Sequence, residues 1–241
     1  MILAVNTSTR EFSLSVLKEN GAVISEVFMA EGKNHFGGLM ASLDFLFKTS
    51  DYSLFELKAI AVATGPGSFT GLRVGLSTAK GLCHGLGIPI ITVPSLDALA
   101  HGALFSDYDI APVLDSRREE FFTALFEYNN ASLVRKTEYL SLHLKEFPLF
   151  FEKPVLFVGN NFSSQGPVIK DCMGNKAILA PSHCWNLKAS VVGALALKKF
   201  HARQFDTPEN VSPIYLRPPD IRPYSPASSR INENDSARAQ D

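Results

Sequence analysis

The sequence predicts an α/β fold with mixed sheets, built as two related halves. Three observations carry this. The first 105 residues read as three strands followed by alternating helices and strands, the pattern of a layered α/β unit. The second half restarts with strands near Ile110. The composition is that of an ordinary globular chain: 241 residues, 46% hydrophobic and 20% charged, long enough for one large domain or two small ones.

Met1–Val5 is a short apolar run. Phe12–Leu17 alternates strictly, with Phe12, Leu14 and Val16 on one face and Ser13 and Ser15 on the other. Ala22–Met29 is rich in strand formers and follows the turn-forming pair Asn20-Gly21. These three segments read as a meander with its first turn at Thr7–Arg10. Phe36, Leu39, Met40, Leu43 and Phe47 recur at helical spacing and predict an amphipathic helix over 35–48. Lys58–Ala63 reads as a strand, 70–86 as a helix, Ile88–Val93 as a strand and Ser95–Phe105 as a helix capped by Ser95. Strands follow at Ile110–Leu114, Phe121–Glu127, Leu133–Tyr139 and Pro154–Val158. A last helix over 187–204 carries Val191, Ala194 and Leu195 on its apolar side. The polar stretch 221–241 has the composition of a disordered tail. The expected units are therefore a first lobe over 1–105, a reduced second lobe over 106–220 and the tail.

Net charge is −1 and the sequence pI is about 6.6, so no overall positive field attracts nucleic acid or an anionic membrane. Cys83, Cys172 and Cys184 form no C-x-x-C pair and read as reduced thiols in a cytoplasm. The opening MILAVNTSTREF lacks a basic leader region and reads as a strand rather than a signal peptide. No apolar run approaches the roughly 18 residues of a membrane span.

The stretch Gly65-Pro66-Gly67-Ser68-Phe69-Thr70-Gly71 puts a tight turn between a strand and a helix, where backbone N–H groups can bind anions. It lacks the lysine of a P-loop. It also lacks glycine at Thr70 and the later acidic residue of a dinucleotide fingerprint. A turn with Ser68 or Thr70 capping the helix is the plainer reading. The helix behind it carries Leu72, Leu76, Ala79, Cys83 and Leu86 on one arc and Arg73, Ser77, Lys80 and His84 on a second. Gly71, Gly75, Gly81 and Gly85 lie on a third, among Val74, Thr78 and Leu82. Each helical glycine costs roughly 1 kcal/mol relative to alanine, so the stripe implies another helix approaching closely, from the same subunit or a different one.

ILAVNTST, GPGSFTGLRVGLSTAKGL, VPSLDALA, PVLDSRREEFFTALF and VSPIYLRPP together closely resemble the TsaB (YeaZ) family over residues 1–220. The resemblance implies an actin/Hsp70/sugar-kinase-like fold of two lobes, the second reduced. It implies a dimerisation subunit in the synthesis of N6-threonylcarbamoyladenosine at position 37 of tRNA. It implies pairing with a TsaD-like catalytic subunit and support for a TsaE-like ATPase, with self-association through much the same surface. ATP with Mg²⁺ and threonylcarbamoyl-AMP are then expected on partner subunits, and tRNA only through the complex. By position, the pairing surface comprises His35, Leu39 and Met40 with Gly71, Arg73, Val74, Gly75, Thr78, Gly81, Leu82 and Gly85. Substituting leucine at Gly75 or Gly81 is expected to abolish pairing while sparing the fold.

Kinase-like members of this superfamily open with an acidic hairpin that helps hold a metal–nucleotide. Here it reads Asn6-Thr7-Ser8-Thr9, and an amide cannot supply the negative charge that Mg²⁺ favours. With Gly65, Gly67 and Ser68 it would form at most a vestigial nucleotide site. In the second lobe Asp115, Arg117 and Arg118 stand where a glycine-rich acidic hairpin is expected. His35 is followed four residues on by Leu39, which breaks the metal pair of TsaD-like subunits, and a lone histidine rarely holds a metal. Neither G-x-S-x-G nor H-E-x-x-H occurs. Glu119 and Glu120 read as a solvated cluster. A non-catalytic scaffold is the leading expectation. The alternative is a nucleotide-dependent phosphotransferase or hydrolase using the first-lobe loops, and a third is a protease.

Overall fold

Residues 1–30, 35–103, 106–116, 119–130 and 132–217 are described by a computed structural model; of His35 and Phe36 only the backbone is described. The side chain of His35, all of Arg117 and Arg118, and the stretch 221–241 lie outside the described residues.

The opening meander forms as its alternation implies. β1 (Ile2–Asn6), β2 (Phe12–Leu17) and β3 (Val23–Met29) pair antiparallel in sequence order. A 3₁₀ turn at His35–Gly38 leads into α1 (Leu39–Ser50), which buries Leu39, Leu43 and Leu46. β4 (Ala59–Ala63) joins β1 in parallel, and α2 (Phe69–Leu86) leads to β5 (Ile90–Val93), parallel to β4. The first sheet thus has the order β3-β2-β1-β4-β5. α3 (Ser95–His101) follows; Pro94 holds its cap position, and Ser95 Oγ accepts instead from Gly65 N at 3.0 Å.

The second half repeats this plan. β6 (Asp109–Asp115) pairs antiparallel with β7 (Glu120–Thr123). The hairpin of β8 (Phe126–Asn129) and β9 (Ser132–Arg135) stands off the main path, and β10 (Leu140–His143) pairs with β7. After the single turn α4 (Phe147–Phe150), β11 (Val155–Gly159) lies parallel to β6. α5 (Phe162–Met173) then leads to β12 (Ala177–Leu179), parallel to β11. The order β10-β7-β6-β11-β12 is that of the first sheet, strand for strand. The continuous strand expected at Phe121–Glu127 is interrupted between Thr123 and Phe126, the one expected at Leu133–Tyr139 ends at Arg135, and α5 and β12 escape the hydrophobic pattern.

α1 and α2 cover one face of the first sheet, on Leu3, Val5, Phe12, Leu14, Val16, Ile60 and Val62. The other face is covered by α6 (Ala189–His201), contributed from beyond the second sheet. Its buried residues are Ala189, Val192, Gly193, Ala196 and Leu197, while Ala194 is exposed and Val191 and Leu195 are half-buried. The helix is therefore rotated from the expected Val191–Ala194–Leu195 face. Small residues face the sheet because the approach is close: a Cβ on Gly193 would collide with Leu17 and stand 3.2 Å from the Ala4 methyl.

Residues 206–217 run back along the first lobe as a strap. Asp206 N donates to Ile90 O at 3.0 Å, and Ile214 N to Thr64 O at 2.8 Å. Asp206 Oδ2 accepts from Thr92 N at 2.8 Å and Thr92 Oγ1 at 2.7 Å, and Lys199 Nζ donates to Thr92 O at 2.9 Å. Side chains thus cap the free edge of β5, as edge strands require to avoid intermolecular pairing. The strap ends on the second lobe, where Arg217 meets Glu120 at 2.7 Å.

Candidate functional site

The first-lobe hairpin is closed on itself. Asn6, Thr7, Ser8 and Thr9 are all buried. Asn6 Nδ2 donates to Leu187 O at 2.8 Å. Asn6 Oδ1 accepts from Ser8 N at 3.0 Å and Ser8 Oγ at 2.7 Å. Thr7 Oγ1 donates to Gly71 O at 2.7 Å, and Thr9 Oγ1 to Glu11 O at 2.8 Å. The amide serves as donor and acceptor at once, which a carboxylate could not do against the Leu187 carbonyl. At position 6 the hairpin carries an amide, engaged at both ends within the chain.

The glycine turn packs on that hairpin. Ser68 N donates to Ser8 O at 2.7 Å, and a Cβ on Gly67 would overlap the same carbonyl. Gly65 has φ +108°, and its Cβ would stand 2.9 Å from Ile214 O of the strap. Gly65 O accepts from Ser95 N at 2.8 Å. Ser68 caps α2, its Oγ accepting from Gly71 N at 3.2 Å. The N–H groups of Gly65, Ser68 and Gly71 are thus engaged within the chain. Gly67 and Ser68 pack on Ser8 of the hairpin, while Gly65 meets Ile214, Leu72 and Ser95 instead.

The glycine stripe divides. Gly71 and Gly75 are buried on the hairpin side of α2, and a Cβ on Gly75 would collide with Thr7 Oγ1. Gly81 and Gly85 are exposed, with nothing near an added Cβ. The expectation that Gly75 tolerates leucine is therefore corrected: Thr7 is the close neighbour that requires glycine there. Of the other pairing candidates, Leu39 is a core residue at 2% exposure and Met40 is open at 57%. Val74 and Leu82 are half-buried against the same core, and Thr78 is half-buried. Arg73 is exposed, its guanidinium carbon 3.9 Å from the centroid of the Phe69 ring. Phe45, at 59% exposure, joins Met40 on the open side of α1 and was not singled out in the sequence.

The second lobe has its own buried polar node. Gln165 Nε2 donates to Asp115 Oδ1 and Asn160 Oδ1, each at 2.9 Å, while its Oε1 accepts from Asn160 N and Asn161 N. It ties the ends of β6 and β11 to α5. No sequence motif marks Gln165. A second latch joins α3 to the β9–β10 segment, where Tyr139 Oη donates to Asp97 Oδ2 at 2.6 Å. Burial pushes the Asp97 carboxyl above its ordinary range, with the Tyr139 hydrogen bond opposing. Burial, then the Asp97 partner, pushes the Tyr139 phenol up. Among the described residues no three His, Cys, Asp or Glu side chains group as metal ligands, and no helix is long and apolar enough to cross a membrane.

Two sheets of one strand order, each with a meander followed by parallel crossovers, define the actin/Hsp70/sugar-kinase-like class of protein. A solved Pseudomonas aeruginosa structure described as similar to peptidase YEAZ has the same fold. It matches at a TM-score of 0.74 and 22% identity, covering 90% of this chain and 99% of that one. Within the class, the chain belongs to the threonylcarbamoyltransferase family, whose model, described as "TsaD: tRNA N6-adenosine threonylcarbamoyltransferase", matches residues 22–213. Its relatives include proteins named TsaB. It is 33% identical over 201 residues to the tRNA threonylcarbamoyladenosine biosynthesis protein TsaB of Bacillus subtilis, covering 82% of this chain and 87% of that protein. It is 30% identical over 128 residues to the TsaB of Escherichia coli, spanning 54% of that protein's length.

Proposed function

We infer that this chain serves tRNA threonylcarbamoyladenosine biosynthesis as a non-catalytic pairing subunit that holds a TsaD-like transferase in its working arrangement. The family membership supports the pathway. The observation that carries the non-catalytic reading is the Asn6 amide, bonded at both ends within the chain. The polar groups that kinase-like relatives turn toward a metal–nucleotide are here directed inward. The open side of α2, where Gly81 and Gly85 leave the backbone bare, supports the pairing role. Nucleotide, Mg²⁺ and threonylcarbamoyl-AMP then belong to partner subunits, including a TsaE-like ATPase, and tRNA is engaged through the complex. The same helices would serve a homodimer when no partner is present. The setting is the cytoplasm.

Reconstitution of the tRNA modification with and without this chain tests the reading. The expected result is modification only when the chain is added, from a 1:1 complex with the TsaD-like protein seen by analytical ultracentrifugation. Robust Mg-ATP turnover by this subunit alone would sink it.

A further inference from the structure

Arg73 is held in place before any partner arrives. It stands on the solvent face of α2, its guanidinium carbon 3.9 Å from the Phe69 ring centroid. Its Nε donates to Tyr215 Oη at 3.2 Å, and Tyr215 packs 5.1 Å from Phe69, centroid to centroid. Stacking and the Nε bond use one face and one edge of the planar fork. Among the described residues its two terminal nitrogens have no hydrogen-bond or ion-pair partner. An ordinary exposed arginine loses rotamer freedom when it forms an ion pair. Here the strap has already removed that freedom and left the bidentate edge unspent.

The surroundings define what fits that edge. α2, FTGLRVGLSTAKGLCHGL, contains no acidic residue. Its exposed side combines Arg73 and His84 with the short residues Thr70, Ser77, Gly81 and Gly85. We propose that Arg73 anchors the pairing face by gripping, through both terminal nitrogens, a carboxylate on a helix of the partner protein. This rests on the pairing role inferred above. A second copy presenting α2 offers Arg73 no carboxylate from that helix, so a homodimer through the same helices leaves this grip unused. An RNA backbone fits less well, because phosphate binding draws on a field of many cations, whereas this chain has a net charge of −1. An acidic helix lying close to the bare backbone at Gly81 and Gly85 satisfies both the charge and the shape.

The test uses the full chain and the TsaD-like protein of the same organism, with affinity measured by isothermal titration calorimetry at several salt concentrations. Arg73→Ala should weaken pairing about tenfold or more and flatten its salt dependence, with thermal unfolding unchanged. Arg73→Lys should recover little of the loss, since lysine keeps the charge without the fork or the stack. Tyr215→Phe, which removes only the hydroxyl, should cost about threefold. Pairing that is intact in Arg73→Ala, or fully restored by lysine, overturns the proposal while leaving the pairing role standing. So does an Arg73→Ala complex that pairs normally but loses its hold on tRNA. Failure of the unaltered chain to pair at all removes the pairing role itself, and this proposal with it.

Discussion

The amide of Asn6 reaches the carbonyl of Leu187 at 2.8 Å, joining residues 181 positions apart in the chain. This bond ties the first-lobe hairpin to the segment that leads into α6. Ser13 Oγ reinforces it by donating to Leu187 O at 3.2 Å and accepting from Ala189 N at 2.8 Å. The hairpin that could have faced a nucleotide is thereby part of the scaffold.

Replacing Asn6 by aspartate should therefore destabilise rather than restore a nucleotide site. The variant sets a buried carboxylate oxygen against a carbonyl and removes the donor, a loss of about 2–4 kcal/mol. Urea unfolding at pH 7 measures it; a variant as stable as the parent would show that the amide is not needed.

The two halves of the glycine stripe should respond in opposite ways. Gly75→Ala inserts a methyl group against Thr7 Oγ1, and should cost about 1–3 kcal/mol despite alanine's better helix propensity. Gly81→Ala meets nothing and should stabilise by up to about 1 kcal/mol. Gly81→Leu should keep the fold and lose the heterodimer. Thermal unfolding and analytical ultracentrifugation of the same three variants separate these outcomes.

Stability should fall between acid and neutral pH because of Asp97. Its folded carboxyl titrates above the ordinary 3.8, so the folded state holds the proton longer than the unfolded one. The term is absent below that value and grows unfavourable as pH rises toward the folded one. Asp97→Asn, which can still accept from Tyr139, should remove that part of the slope in urea unfolding at pH 4, 5, 6 and 7. Tyr139, raised from an ordinary 10.0, should contribute a further loss of stability above about pH 10 that Tyr139→Phe abolishes.

The strap should protect the β5 edge. Asp206→Ala leaves Thr92 N–H and Oγ1 without their acceptor, a cost of about 2 kcal/mol. It also reopens a strand edge to other chains. Light scattering should show the variant self-associating at concentrations where the parent does not. By contrast, Arg217→Ala breaks a half-exposed ion pair and should cost only about 0–1 kcal/mol.

Much of this was legible in the sequence where the signal is local. Period-two alternation located β2, helical spacing behind the glycine turn located α2, and the restart near Ile110 announced the second sheet. Local pattern failed where tertiary contact overrides it. α5 contains Gly166 and Pro167, which interrupt the helical signature, yet Gln165 locks its first turn to β6 and β11. The serine face of β2 resembles a solvent face, and it is buried because α6 returns to cover it.

By itself the sequence determined the alternation of elements, the family, the missing acid at position 6 and the line of glycines along α2. Each is written in neighbouring residues and needs only propensity, periodicity or a motif to be read. Only the tertiary structure decided that Asn6 is a cross-brace, that Gly75 serves Thr7 while Gly81 and Gly85 stay open, and that Tyr215 holds Arg73. Those roles depend on atoms brought within hydrogen-bonding or van der Waals reach from opposite ends of the chain, a proximity set by the packing of the sheets, α6 and the strap together.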